Sequence, residues 1–247
     1  MHKPVRVPFF NDDQIYWTPL QAQALKQSGI ETPGALIKKP SDDHRPGQLG
    51  FDKNAGIMRS NFKLVDKWDQ LRDLDGIIEI PFKFDSSFAY TDLIKDQIRG
   101  HLGFMNEELG QCLKFKERNE EYLMAGRLNI VASGSGCWSY IGRVYYDQDI
   151  SLGDGCHGRG RSLHEFMHAL GFLHEHQRAD RDDHIEIHWE NIKTDRQADF
   201  AKLDTDLNNN QRYDPFSLLH YGTDAFTKNG KDTFSFKNKE LLNGKEC

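Results

Sequence analysis

Residues 164 to 176, read as HEFMHALGFLHEH, hold four histidines and two glutamates in thirteen positions. His164 and His168 are four apart, so on a helix they stand one turn above the other on the same face. Two imidazoles so placed can reach one zinc ion at about 2.0 to 2.1 Å each. Glu165 points about 100° away around the helix. From there it can take a proton from a water at the metal without being a ligand, as a general base requires. Three residues past His168, Gly171 can adopt positive φ, stop the helix and return His174 to the same ion. Three neutral nitrogen ligands leave one coordination position open, which marks catalytic rather than structural zinc. The full spacing H-E-x-x-H-x-x-G-x-x-H arises by chance in on the order of one in ten thousand such sequences. The spacing of His176, His184, His188 and His220 demands no metal; His176 and His220 read as hydrogen-bonding core or supporting residues.

The elements that must position this stretch are mixed. "GIIEIPFKF" (76 to 84) alternates like a strand, and residues 90 to 110 place Leu93, Ile94, Ile98, Leu102, Met105 and Leu109 at helical spacing. Strands are expected at 112 to 118, 127 to 133 and 149 to 153 ("DISLG"). "SGSGCWSYIG" (133 to 142) reads as a glycine-rich turn before "GRVYY", and a helix is expected from about Arg161 to Leu170. Asn229-Gly230 marks a tight turn. Residues 1 to 53 hold six of the eight prolines and one short helical candidate, Pro19 to Gln27, so they read as an arm, linker or removable prosegment.

Composition narrows the partners. The 37% hydrophobic and 28% charged content is globular, and the net charge of -6 with no Lys/Arg stripe argues against nucleic acid. No apolar run approaches the ~18 residues of a membrane span, and no signal peptide is visible at the start of the chain. Cys112, Cys137, Cys156 and Cys247 permit three pairings, and none forms a C-x-x-C pair.

"HEFMHALGFLHEHQRADRD" (164 to 182) resembles the signature of the astacin family of metzincin zinc endopeptidases. "SGSGCWSYIGR" (133 to 143) is similar to that family's cysteine-containing turn, and "YDPFSLLHYG" (213 to 222) to its Met-turn, usually S-x-M-H-Y. The similarity runs over roughly residues 64 to 235. It implies an α+β metzincin fold: a twisted mixed sheet and long helices in an N-terminal lobe of about 54 to 173, and an irregular C-terminal lobe of about 174 to 247. The zinc cleft lies between the lobes. It further implies that Tyr221 is a fifth zinc ligand that can swing to stabilise the tetrahedral intermediate, and that Glu175 meets the mature N-terminus. Cys137 would pair with Cys156, and Cys112 with a cysteine near the domain end, for which Cys247 stands. "DISLG" would be the edge strand against which an extended substrate pairs. Leu219 occupies the Met-turn position with similar volume. Asp52 in "LGFD" is the candidate for the prosegment's zinc-blocking aspartate. With 247 − 221 = 26 residues after Tyr221, the C-terminal lobe reads as shortened.

The expectation is therefore a secreted zymogen of a zinc endopeptidase, carrying one catalytic Zn²⁺ and a zymogen prosegment in residues 1 to 53. It would be activated by another protease, act on protein or peptide substrates, and be monomeric. A catalytically inactive zinc protein that binds peptide or protein partners is the alternative. A cytosolic zinc protein with reduced thiols is a third.

Overall fold

A computed structural model describes residues 14–16, 68–110, 112–118, 126–132, 136–144, 147–203 and 211–238. The expected helix at Pro19 to Gln27, Asp52 and Cys247 lie outside the described residues.

The first lobe is built on a sheet of order β1-β5-β6-β4-β2-β3. Its strands are β1 (Gln14–Tyr16), β2 (Ile78–Phe84), β3 (Leu113–Glu117), β4 (Leu128–Val131), β5 (Cys137–Tyr140) and β6 (Gln148–Leu152). Strands β2, β3, β4 and β6 run parallel, β5 runs antiparallel to β6, and β1 is parallel to β5. Parallel strands are covered on both faces and so tolerate continuous apolar runs. β4 is buried at all four positions, three of them apolar and the fourth Asn129.

The helix expected from the 90 to 110 periodicity is α1 (Asp92–Leu109). Thr91 caps it by accepting the Ile94 N–H, and Ile98, Leu102 and Met105 form its buried face. The second helix, α2 (Arg159–Ala169), carries the HExxH stretch. Phe166 on α2 is wholly buried and meets Phe115 of β3 edge to face at 5.3 Å. It joins Ile80, Leu128, Ile130 and Ile150 in one core, so the sheet fixes the helix's rotation about its own axis.

Two expectations are corrected. The glycine-rich segment does not continue as a turn: Cys137–Tyr140 is β5, because Trp138 and Tyr140 bury their rings in the sheet. And "DISLG" is not an edge. β6 is hydrogen-bonded to β4 on one side and β5 on the other, which makes it an interior strand. On that side of the sheet β5 comes next, and β1 lies along it as the outermost strand.

The second lobe is irregular, as expected. Short turns surround a two-stranded antiparallel sheet, β7 (Ile185–Ile187) with β8 (Phe234–Phe236), over a core of Ile185, Ile192, Phe200, Tyr221, Phe226 and Phe234. The Asn229-Gly230 turn is present, with Gly230 at φ 77°.

Cys137 and Cys156 are joined by a disulfide that ties β5 to the loop before α2. Cys112 is exposed and forms no disulfide among the described residues, which do not include Cys247. Closing a loop of 19 residues constrains the unfolded chain enough to be worth about 3 kcal/mol. Cys156→Ser should lower the unfolding free energy by about that amount, read from the denaturant midpoint; no change would mean the bond contributes no constraint.

Candidate metal centre

The centre begins with how α2 ends. Leu170 closes the helix and Gly171 takes φ 105°, a region that disfavours side-chain-bearing residues. The Phe172 N–H then bonds the Met167 carbonyl at 3.1 Å and the Gly171 N–H the His168 carbonyl at 2.8 Å. That pair of bonds is the Schellman arrangement, and it turns the chain back toward the helix face. One result is local: the Phe172 carbonyl accepts Nδ1–H of His168 at 2.7 Å. The other is that His174 returns to the histidines of α2.

His164 is oriented from far away in sequence. Its Nδ1–H is accepted at 2.7 Å by the carbonyl of Leu218, in the turn that also contains Leu219. That turn is itself pinned, because the Leu219 carbonyl accepts the Glu175 N–H at 3.0 Å. The Leu219 side chain is buried, so the leucine keeps the apolar character expected at this position.

These bonds decide the tautomers. A carbonyl only accepts, so Nδ1 of His164 and of His168 carries the proton and each neutral ring presents a bare Nε2 lone pair. The Nε2 atoms of His168 and His174 stand 3.2 Å apart, and those of His174 and His164 3.3 Å apart. Two nitrogens at about 2.0 to 2.1 Å from a tetrahedral zinc would be separated by about 3.3 to 3.4 Å. The three buried rings thus have the spacing that a zinc ion requires, His164 and His168 also have the lone-pair direction, and the three form the one potential metal cluster among the described residues. Carbonyl partners on the outer nitrogens are the usual support for histidine ligands.

Around the triad, Glu165 is buried at 1% exposure beside His164. The Tyr221 ring packs 4.6 Å from that of His174 and stacks on His176 at 4.0 Å. His176 and His220 take the supporting place expected of them. His176 is held to the Asp199 carbonyl, and burial, then the neighbouring His174 and His220, keep it far below the ordinary histidine range. His220 donates Nδ1–H to the Tyr221 carbonyl and accepts the Tyr213 hydroxyl at 2.5 Å. Burial lowers its pKa to about 4, against the opposing effect of that carbonyl bond. Glu175 is raised by burial; the Asp214 N–H and Arg178, both bonding its Oε1, hold it down in part. Sequence reasoning missed Phe172, Leu218 and Tyr213. The first two act through carbonyls, which every residue carries; Tyr213, within "YDPFSLLHYG", was open to a reading as a partner for the following histidine.

The chain's sequence matches the model of the Astacin peptidase family over residues 68–245. The chain belongs to the astacin family. Zinc metalloproteinase nas-6 of Caenorhabditis elegans is 39% identical over 157 residues, covering 62% of this chain and 43% of that protein. An astacin-like metalloendopeptidase of Coturnix japonica is 39% identical over 171 residues, covering 67% of this chain and 39% of that protein. The chain thus spans less than half the length of these curated relatives. Among solved structures, high choriolytic enzyme 1, a hatching enzyme zinc-protease from the medaka fish Oryzias latipes, superposes with a TM-score of 0.61 at 36% identity. The match covers 67% of this chain and 80% of that one. The fold is accordingly the α+β metzincin fold of astacins, and the histidine triad is suited to the single zinc ion of these enzymes.

The folded chain should bind one equivalent of zinc. His168→Ala should lose at least about tenfold in affinity, measured by competition with a chromophoric chelator; unchanged affinity would mean that His168 is not a ligand.

Proposed function

We propose that the chain is the precursor of a secreted zinc endopeptidase acting on protein or peptide substrates, with His164, His168 and His174 as metal ligands. The observation that carries this reading is the convergence of three imidazole nitrogens at 3.2 to 3.3 Å beside the buried carboxyl of Glu165. Zinc in that place supplies polarisation of the scissile carbonyl and an acidified water with a pKa of about 7. Glu165 takes the proton of the attacking water and passes it to the leaving amine. Tyr221 would be a further residue able to hold the metal, and its phenol O–H would donate a hydrogen bond to the developing oxyanion. Its ring position against His174 supports this role. Secretion is supported by the Cys137–Cys156 disulfide, a bond that persists in oxidising compartments. Pairing of Cys112 with Cys247 belongs to the same reading, as does action as a monomer.

Residues 1 to 53 are proposed as the prosegment and 54 to 247 as the peptidase domain, with lobes meeting near residue 173. β1 supports this, because Gln14, Ile15 and Tyr16 lie parallel against Trp138, Ser139 and Tyr140. They occupy the sheet edge that an extended peptide would need for β-augmentation. Asp52 remains the candidate zinc-blocking residue. Removal of the segment by another protease near Lys53-Asn54-Ala55 would free an α-amino group for Glu175, whose two bonds both fall on Oε1.

After trimming with a trypsin-like protease, the wild type should cleave casein and lose this activity to a chelator. Glu165→Gln should be slower by about 10² to 10⁴ while keeping its zinc. Equal rates would sink the enzymatic reading in favour of an inactive zinc protein that binds peptides. Tyr221→Phe should lose about 10² to 10³ in kcat; full activity would remove its oxyanion role. N-terminal sequencing of the active form should give a start close to residue 54, and a start well beyond residue 65 would exclude the Glu175 contact with that terminus.

A further inference from the structure

The sheet edge and the zinc-site helix meet at one peptide unit. Gly142, two residues beyond β5, donates its N–H to the carbonyl of His168 at 2.8 Å. Its own carbonyl accepts from Nε2 of Gln148 at 2.9 Å. The Oε1 of Gln148 accepts the Val144 N–H at 2.8 Å. Gln148 is 2% exposed and opens β6, where its backbone N–H bonds the Arg127 carbonyl at 2.8 Å and its register partner is Leu128 of β4. One buried amide on an interior strand thus satisfies both a carbonyl and an N–H of the loop leaving β5.

The residue type is matched to that task. Glutamate has no donor for the Gly142 carbonyl, methionine has neither donor nor a strong acceptor, and asparagine is one methylene short. Gly142 at φ 70° takes the left-handed turn that lets its two polar groups reach the helix and Gln148 together. A buried amide whose two ends are both bonded leaves unpaired groups on either side when it is removed, which is what makes such a bridge stiff.

We propose that Gln148 is a positioning residue that sets the peptide-pairing strand and the metal ligand His168 as one unit, through the Gly142 peptide. The proposal rests on the reading above of β5 as the substrate edge and His168 as a ligand. The placement of β5 governs how a long peptide lies, and the His168 carbonyl at the end of α2 governs where its imidazole stands. Loosening the bridge disturbs both at once. A short peptide that does not run along β5 loses little affinity.

The test compares the full-length wild type with Gln148→Met, which keeps the shape and loses both bonds, and Gln148→Glu, which keeps the acceptor only. Amide hydrogen exchange at Gly142 and Val144 should rise roughly tenfold in the Met variant. In the Glu variant the rise should be confined mainly to Gly142. Zinc transfer to a chelator should be several-fold faster in both. After trimming, KM for a peptide of about eight residues should rise about tenfold in the Met variant with kcat within about threefold. KM for a peptide of about three residues should stay near wild type. Exchange at Gly142 as slow as in the wild type, or an equal KM rise for long and short peptides, overturns the proposal; the second is what mere destabilisation would produce. If the Met variant does not fold, exchange and zinc transfer in the Glu variant decide the matter by the same criteria. A wild type that cleaves no peptide defeats the enzymatic reading alone, and exchange with zinc transfer still decides the role of Gln148.

Discussion

Bare nitrogen lone pairs 3.2 to 3.3 Å apart repel one another unless a cation lies between them. Much of the molecule can be understood as what is needed to hold three imidazoles in that arrangement. The protons must sit on the outer nitrogens, so carbonyls must be delivered there: Phe172 from the turn that ends α2, and Leu218 from a turn 54 residues beyond His164. Neither acceptor depends on its side chain. A site of this kind is therefore assembled by backbone geometry, and the side chains around it serve to fix that backbone. The buried Phe166 does this from within the sheet lobe, and the apolar cluster of Phe200, Phe226 and Phe234 does it from the other.

The two lobes contribute in different ways. The first is an ordinary packed sheet in which α2 is held by apolar contact, so the rotation that presents His164 and His168 is paid for by burial. The second has little regular structure and relies on polar brackets. Arg178 bonds Glu175, Asp180 and the carbonyls of Gln211 and Arg212, and Arg181 bonds the carbonyls of His176 and Phe200. A buried guanidinium offers five donors in a fixed fork, enough to tie several loop carbonyls at once. The basic and acidic residues after His174 are thus largely structural, tying the chain around the Leu219 turn and Tyr221.

The local elements were legible from the residues. Periodicity located α1, the alternation of β2 and the runs at β3 and β4 matched their strands, and the glycine stop after α2 formed where its spacing required. The edge strand was misplaced. Glycine and serine around residues 133 to 136 are strong turn signals, and they mask the four strand residues that follow, while the edge role of "DISLG" rested on the family resemblance alone. Which strand is outermost is not a property of any single strand, since β5 and β6 are both short and largely buried.

By itself the sequence determined the donor set: two histidines one helical turn apart, a glutamate between them, and a glycine that returns a third histidine. Those relations depend on the 3.6-residue period and on the freedom of glycine, both of which act within a few residues. Only the tertiary structure decided the rest, namely which carbonyls orient the rings, which strands lie inside the sheet, where Tyr221 lies and what Gln148 joins. These are contacts between segments far apart in the chain, made through backbone groups that every residue shares, so no residue type announces them.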